Sequence, residues 1–272
     1  MSGALLQALV DDLAAESADL DARVAPLDDD GWLTPTPAAG WDVRDTVNHL
    51  RFFDRDALLA VTDPAGFAAH VRSLGDGAGD YVERLTREGR TSPPAEVLAD
   101  WRAGREALAT ALRGVPAGTR VPWFGPPMSP ASFVTARLME TWAHGQDVVD
   151  ALGQDRPATA RLRSVAEIGV RARPFSYAVR GLPAPEHPVR VELTGPGGEP
   201  WTWGPEDAGD VVRGPALDFC LLVTQRRHRD DVSLEVRGPA AEEWLGIAQA
   251  FAGPPGEGRQ PLGRAGARGA RP

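Results

Sequence analysis

Residues 137–147, RLMETWAHGQD, contain the spacing on which the interpretation of this sequence depends. The stretch has no proline and its residues tolerate a helix, so we predict a helical segment here. Glu140 and His144 are four positions apart, and on a helix such side chains project from one face, one turn above the other. A carboxylate and an imidazole in that arrangement offer two ligands for a divalent metal. A complete site needs at least one further ligand from elsewhere in the chain.

Four long helices are predicted in the first part of the chain. Apolar residues recur at helical spacing in each of them, and proline-rich or glycine-rich segments separate them. Asp42 is a candidate N-cap for the second helix, and Ser129 followed by Pro130 marks the start of the fourth. Four helices in about 155 residues favour a four-helix bundle. The predicted helices cover residues 3–25, 43–62, 94–113 and 130–152.

The pattern changes after residue 156, where a leading helix at 159–172 is followed by alternating apolar and polar residues at 188–194. Such alternation at period two indicates a strand, and a glycine-rich turn predicts that 200–203 returns beside it as a hairpin. A strand at 211–214, a helix at 215–224, a strand at 232–236 and a helix at 240–251 complete a small α+β domain. Glycine, proline and arginine dominate residues 253–272, which we expect to form a disordered tail.

Composition excludes several classes of protein. The chain has 272 residues and a formal net charge of −9, which argues against nucleic acid and anionic membranes as partners. All basic residues are arginine, so neither a lysine Schiff base nor a P-loop lysine is available. A single cysteine, Cys220, excludes an internal disulfide and lies in an apolar run typical of a buried thiol. Without a long apolar run or a basic leader, the chain is expected to be cytoplasmic and not a membrane protein.

The third metal ligand is sought among the remaining histidines. His187 and His228 lie in segments typical of solvated loops, and His70 lies in a region without a clear helix. His49 stands beside the apolar stripe of the second predicted helix, where it faces the interior of a bundle. It is therefore the best candidate. A solvent-facing Glu–His pair on a helix is the ordinary alternative, and spacing alone does not decide between them.

Two imidazoles and one carboxylate are typical of a catalytic metal site that leaves positions open for water or substrate. Nitrogen and oxygen ligands without a thiolate admit zinc, nickel, iron, manganese or cobalt, and zinc is the preferred prediction. Asp147 follows His144 by three residues, and Asp45 precedes His49 by four. Either carboxylate is expected to accept a hydrogen bond from the imidazole nitrogen that does not bind the metal.

The residues GWDVRD at 40–45, His49, and ETWAHGQD at 140–147 together resemble the DinB-like metal-binding four-helix bundles. Within these, the sequence is most similar to the mycothiol-dependent maleylpyruvate isomerase family. In that family a histidine on the second helix and a Glu-x-x-x-His on the fourth hold the metal, and they correspond here to His49, Glu140 and His144. The resemblance implies that residues 1–155 form the metal-binding bundle and residues 156–252 a sterol-carrier-like α+β domain.

The resemblance also implies an activity. It predicts an enzyme that uses the thiol mycothiol as co-substrate on a small electrophilic molecule, as an isomerase or an S-transferase. The family places an arginine from the second domain near the site, for which Arg226 and Arg237 are candidates without a choice between them. The segment WFGPPM at 123–128 either lines the substrate pocket or covers one end of the bundle. Two alternatives remain open, namely a hydrolase of the same fold that uses metal-bound water, and a non-enzymatic protein that binds a metal and an apolar ligand.

Overall fold

Four long helices build the first of two structural units in the computed structural model. This unit is Met1–Arg156, and the second is Pro157–Pro272. Residues 3–75, 80–116, 118–183, 185–256 and 258–263 are described. In chain order the helices of the first unit are α1 (Gly3–Val24), α2 (Asp29–Trp32), α3 (Val43–Thr62), α4 (Pro64–Leu74), α5 (Tyr81–Gly89), α6 (Pro94–Arg113) and α7 (Pro130–Leu152).

The long helices α1, α3, α6 and α7 pack side by side. Helix α1 contacts both α6 and α7, and α3 contacts the same two. The four helices therefore follow one another around the bundle in the order α1, α7, α3, α6. Their apolar stripes meet at the centre, where Leu50, Val97 and Trp101 have no exposed surface. Helices α3 and α7, which carry the predicted metal ligands, are neighbours in this arrangement.

The ends of α3 and α7 agree with the capping predictions. Asp42 precedes α3 and accepts a hydrogen bond from the backbone N–H of Asp45, whose own carboxylate accepts from the N–H of Asp42. This reciprocal pair is a capping box, which satisfies two backbone donors that the helix leaves open. Ser129 caps α7 through the N–H of Ser132, and the helix ends at Gly153, whose φ of 60° is left-handed.

The second unit contains a small mixed sheet with helices packed against it. Strand β1 pairs antiparallel with β2 and parallel with β3, and β3 pairs antiparallel with β4, so the strand order is β2-β1-β3-β4. A mostly helical first unit and a small α+β second unit confirm the predicted fold class. The elements are α8 (Leu162–Arg171), α9 (Arg173–Ala178), β1 (Val189–Thr194), β2 (Pro200–Trp203), β3 (Asp210–Pro215), α10 (Ala216–Val223), β4 (Glu235–Arg237) and α11 (Pro239–Ile247).

Three element boundaries in the second unit differ from the sequence prediction. The leading helix expected at 159–172 is α8, which begins only at Leu162, and α9 follows as a separate helix. In the strand expected at 232–236, residues 232–234 are irregular and β4 begins at Glu235. The last helix was expected to reach residue 251 but ends at Ile247. Its continuation is extended because the N–H of Gln249 donates to Ser176 Oγ and the N–H of Ala250 donates to the Val223 carbonyl. These tertiary hydrogen bonds outweigh the local helical preference.

Two predicted segments lie partly outside the described residues. The glycine cluster at 75–79 is described only at Gly75, and the predicted disordered tail is described no further than residue 263. Near that end the N–H of Leu262 donates to the carboxylate of Asp231. Among the described helices, none is both long and apolar enough to cross a membrane.

Candidate metal centre

The start of α3, about one turn before His49, is held in place by a buried carboxylate. Arg90, at the end of α5, donates to both carboxylate oxygens of Asp45, with Nε 3.0 Å from Oδ1 and Nη2 2.6 Å from Oδ2. Asp45 is fully buried and also completes the capping box of α3. The carboxylate of Asp45 therefore holds Arg90 and the helix start. The hydrogen bonds and the ion pair of this carboxylate go to these partners and none joins it to His49, so an orienting role for Asp45 stays a prediction.

The three predicted ligands converge between α3 and α7. One ligand atom from each of His49, Glu140 and His144 can be chosen so that all three lie within 4.8 Å of one another. Oε2 of Glu140 lies 3.8 Å from Nε2 of His49 and 3.5 Å from Nε2 of His144. The spacing of four on α7 therefore places a carboxylate and an imidazole on one face, and α3 brings the second imidazole to them.

Asp147 lies behind His144, on the side away from Glu140. Its Oδ2 is 3.3 Å from Nδ1 of His144, and the residue is fully buried. A carboxylate at Nδ1 favours a proton on that nitrogen and leaves the lone pair of Nε2 directed at the site. Asp147 is therefore close enough to His144 for the orienting role, which stays a prediction.

Electrostatics in the site favour a neutral imidazole at His49 and a charged carboxylate at Glu140. Burial, with the charge of His144 added to it, lowers the pKa of His49 to about 4, although Glu140 opposes this shift. Burial on its own raises the pKa of Glu140, but the adjacent side chains of His144 and His49 outweigh it and hold the pKa well below the usual value. Neutral imidazole and ionised carboxylate are the forms that bind a metal ion.

Aromatic rings enclose the two imidazoles. The ring of Trp41 lies 5.2 Å from that of His49 and 5.8 Å from that of His144, stacked on the latter at 21°. On the other side, the ring of Phe53 lies 4.6 Å from His49, and the two imidazoles are 4.5 Å apart. These contacts restrict rotation of both imidazoles and keep bulk water from their faces. Sequence reasoning missed this role of Trp41, although its position directly before the N-cap of α3 was a usable signal.

The residues present fit a divalent metal. Two imidazole nitrogens and one carboxylate oxygen face a common point, and all three side chains are mostly shielded, with exposed fractions of 14%, 23% and 10% for His49, Glu140 and His144. A donor set of this kind suits zinc and the neighbouring first-row metals. A helix-surface ion pair, the ordinary alternative for Glu140 and His144, would leave both side chains in solvent and would not place a third ligand beside them.

A buried ion pair fixes α3 against α7 one turn from the candidate centre. Arg137 Nη2 lies 2.9 Å from Oδ1 of Asp54, and the side chains are only 4% and 5% exposed. Nε1 of Trp101 donates to Oδ2 of the same carboxylate at 3.2 Å, which brings α6 into the network. The network ties together the two helices that supply the ligands. Its sequence signal was a charged residue among apolar ones on each helix, and it was not recognised.

The aromatic loop between α6 and α7 packs beside the candidate centre. Trp123 stacks on Phe67 with 3° between the ring planes, and Phe124 contacts Phe53 at 5.8 Å between ring centroids. Since Phe53 also contacts His49, the loop reaches the surroundings of the imidazoles through one intervening ring. Phe124 is 38% exposed, so part of this aromatic surface faces solvent.

The other residues considered from the sequence lie elsewhere. His70 contacts the hydroxyl of Tyr81 through Nε2 at 3.1 Å, outside the candidate centre. His228 accepts the N–H of Asp230 through Nδ1 at 3.1 Å. Arg226 follows α10 and Arg237 ends β4, so both belong to the second unit, and neither is assigned to the site.

Two kinds of relative share most of this chain. A protein of Mycobacterium tuberculosis (strain H37Rv), described as uncharacterized, is 53% identical over 250 residues, which cover 92% of this chain and 97% of that protein. Its counterpart in strain CDC 1551 matches equally well. The crystal structure of a mycothiol-dependent maleylpyruvate isomerase aligns with a TM-score of 0.57 at 15% identity, covering 85% of this chain and 92% of the other. That likeness shows a shared fold.

Sequence profiles of known families match both parts of the chain. Residues 185–235 match a family described as wyosine base formation. Residues 13–149 match the mycothiol maleylpyruvate isomerase N-terminal domain, and this match covers about half of the chain, including every predicted metal ligand. The resemblance noted from the motifs is thereby confirmed, and the chain belongs to the mycothiol maleylpyruvate isomerase N-terminal domain family.

Proposed function

We propose that this protein is a metal-dependent enzyme that uses mycothiol as a nucleophile on a small electrophilic substrate, in an isomerase or S-transferase reaction. The observation that carries the proposal is the convergence of His49, Glu140 and His144 on one point between α3 and α7. Membership of the family and the shared fold with a mycothiol-dependent enzyme support it. Zinc is the proposed metal, with nickel, iron, manganese and cobalt as the alternatives that the donor set admits.

A divalent metal, when bound, lowers the pKa of a thiol and so supplies a thiolate near neutral pH. His49, Glu140 and His144 would hold it, and Asp147 would keep the Nε2 lone pair of His144 directed toward it. The only cysteine of the chain, Cys220, is buried in the second unit, and burial raises the pKa of its thiol. A nucleophilic thiol therefore has to come from a co-substrate, which is the role proposed for mycothiol.

Single substitutions of the candidate ligands test the metal. We expect His49→Ala and His144→Ala each to lose the metal that purifies with the parent protein, measured by elemental analysis. His187→Ala is the matched control, because His187 is an exposed histidine outside the centre. If both ligand variants keep their metal and melt like the parent, the assignment of the centre is wrong.

Thiol consumption tests the reaction. Purified metal-loaded protein is incubated with mycothiol and a panel of small electrophiles that includes maleylpyruvate, and free thiol and product are followed over time. Isomerisation with the thiol recovered indicates an isomerase, and stoichiometric loss of thiol indicates an S-transferase. We expect His49→Ala to lower the rate by at least about a hundredfold, because loss of a ligand should cost no less than the 10- to 100-fold that loss of a residue supporting a ligand costs. Turnover that needs the metal but not mycothiol would instead favour the hydrolase alternative.

A further inference from the structure

A cavity of about 350 Å³ lies in the second unit, bounded by the end of α8, the start of α9, the segment before β1, the turn after β2, and α11. Much of its wall is proline, with Pro174 and Pro188 among the lining residues. The polar side chains on the wall belong to Arg171, Arg173 and Trp244. Each of these is a hydrogen-bond donor without acceptor capacity. The cavity therefore offers an apolar wall with a small set of donors, a combination typical of small-molecule sites.

Three of these donors are buried without an acceptor. Nη1 of Arg173 donates to the carbonyl of His187 at 2.8 Å. Nε and Nη2 of the same guanidinium, and Nε1 of Trp244, have no hydrogen-bond partner among the described residues. Trp244 is only 1% exposed, so its N–H is withdrawn from bulk water. Buried donors are nearly always paired in folded proteins, so three unpaired donors on two residues that line one cavity indicate an acceptor that is not part of the chain.

The unpaired edge of Arg173 is the one that binds carboxylates elsewhere in this protein. Nε and Nη2 of Arg102 hold the two oxygens of Asp21 at 2.7 and 2.6 Å. The same two atoms of Arg90 hold Asp45. This edge presents two parallel N–H groups whose spacing matches the two oxygens of a carboxylate. In Arg173 both N–H groups of this edge are unpaired, and no carboxylate of the described residues accepts from them.

Glu243 is the carboxylate of this chain that competes for the edge. It accepts a hydrogen bond from the hydroxyl of Tyr177 at 3.2 Å. Burial and the charge of Glu243 raise the pKa of Tyr177, and the guanidinium of Arg173 opposes that shift through its charge and its closeness to the hydroxyl, so the three groups influence one another. Within the described part of the chain, however, no ion pair joins Glu243 to Arg173, whose guanidinium instead lies over the ring of Trp244 at 5.8 Å.

We propose that this cavity binds a small molecule that carries a carboxylate on a flat apolar body. The two oxygens accept from Nε and Nη2 of Arg173, and Nε1 of Trp244 donates a third hydrogen bond. The apolar body lies against the proline wall. This site lies entirely in the second unit and does not depend on the metal centre or on the activity proposed for it.

Benzoate and benzamide form the matched pair of probes, because they share size and shape and differ in the carboxylate. The full chain labelled with ¹⁵N is titrated with each, and the indole N–H signals of its eight tryptophans are followed by NMR. Trp244→Phe identifies the signal of Trp244. We expect benzoate to shift that signal in a saturable manner, and benzamide to bind at least about tenfold more weakly, since a charged hydrogen bond is lost.

Two arginine variants distinguish binding by the Nε and Nη2 groups of Arg173 from attraction by positive charge in general. Arg173→Gln is expected to weaken benzoate binding about tenfold or more, whereas Arg171→Gln, on the same wall but ion-paired with Glu167, should change it less than about twofold. Equal binding of benzoate and benzamide, or no shift of the Trp244 signal at millimolar benzoate, would overturn the proposal in favour of ordered water alone. Because the comparison of benzoate with benzamide uses the unsubstituted chain, it tests the proposal even if Arg173→Gln does not fold.

Discussion

The buried ion pair between Arg137 and Asp54 gives the sharpest stability prediction. Asp54→Ala removes the carboxylate that accepts two hydrogen bonds from Arg137 and one from Trp101. The guanidinium, 4% exposed, is then left without a partner in the interior. We expect the free energy of unfolding to fall by about 3–5 kcal/mol, the usual cost of leaving one charge of a buried pair uncompensated. That is a large fraction of the stability of an ordinary domain.

A second ion pair on α3 is the matched control. Arg51 and Asp100 also join α3 to α6, with 3.2 Å between Nη1 and Oδ2, but the side chain of Asp100 is 68% exposed. Asp100 is largely solvated, and Arg51, 13% exposed, keeps the charges of Glu88 and Glu96 near it after substitution, so Asp100→Ala is expected to cost no more than about 1 kcal/mol. Burial, rather than the presence of an ion pair, accounts for the difference between the two variants.

Urea unfolding followed by far-UV circular dichroism measures both variants under the same conditions. The double variant Asp54→Ala with Arg137→Met removes both charges and should recover part of the loss, because no unpaired charge then remains buried. Equal midpoints for Asp54→Ala and Asp100→Ala would refute the reasoning. The reasoning would also be refuted if the double variant lost as much stability as the sum of the losses of Asp54→Ala and Arg137→Met measured separately.

Three further predictions concern other carboxylates. Asp147→Asn should weaken metal binding about 10- to 100-fold, because an uncharged amide replaces the carboxylate beside Nδ1 of His144, and competition with a chromogenic chelator measures this affinity. Asp45→Ala should lower the unfolding free energy by about 1–2 kcal/mol through loss of the capping box, which thermal melts measure. A loss of metal affinity as large as that of Asp147→Asn would contradict a purely structural role for Asp45. Hydrogen bonding to Arg102 lowers the pKa of Asp21, so its stabilising effect is present above the ordinary value of 3.8 and is lost as the pH falls through the folded value. Asp21→Asn should therefore cost about 1 kcal/mol near neutral pH and nothing at about pH 2, in urea titrations at the two pH values.

The helices and their ends follow from local sequence, and so they could be predicted. The cap at Asp42 and the stop at Gly153 depend on residues within one turn of the helix end. The common face of Glu140 and His144 depends only on helical periodicity. These features need no knowledge of how the elements pack.

The contacts that the sequence did not predict are made by residues far apart in the chain. Asp45 lies four residues before His49, which suggested an orienting contact, but Arg90 is brought to its carboxylate by packing of α5 against α3. Trp41 reaches both imidazoles because the loop before α3 is folded back, with Gly40 at a φ of 79° and the N–H of Thr36 bound to the Trp41 carbonyl. Neither contact leaves a periodic signal, because each joins residues through tertiary structure.

The separation of the ligands along the chain would couple the supply of the proposed metal to the abundance of the protein. His49 and Glu140 are about ninety residues apart, so the unfolded chain would have to close a long loop before it could present them together. The proposed ion therefore binds the folded chain in strong preference to the unfolded one, and free metal at a hundred times its dissociation constant adds about 2.7 kcal/mol to stability. Metal starvation would then raise the unfolded fraction and expose the chain to proteolysis, so that the cell loses the protein itself as well as its activity.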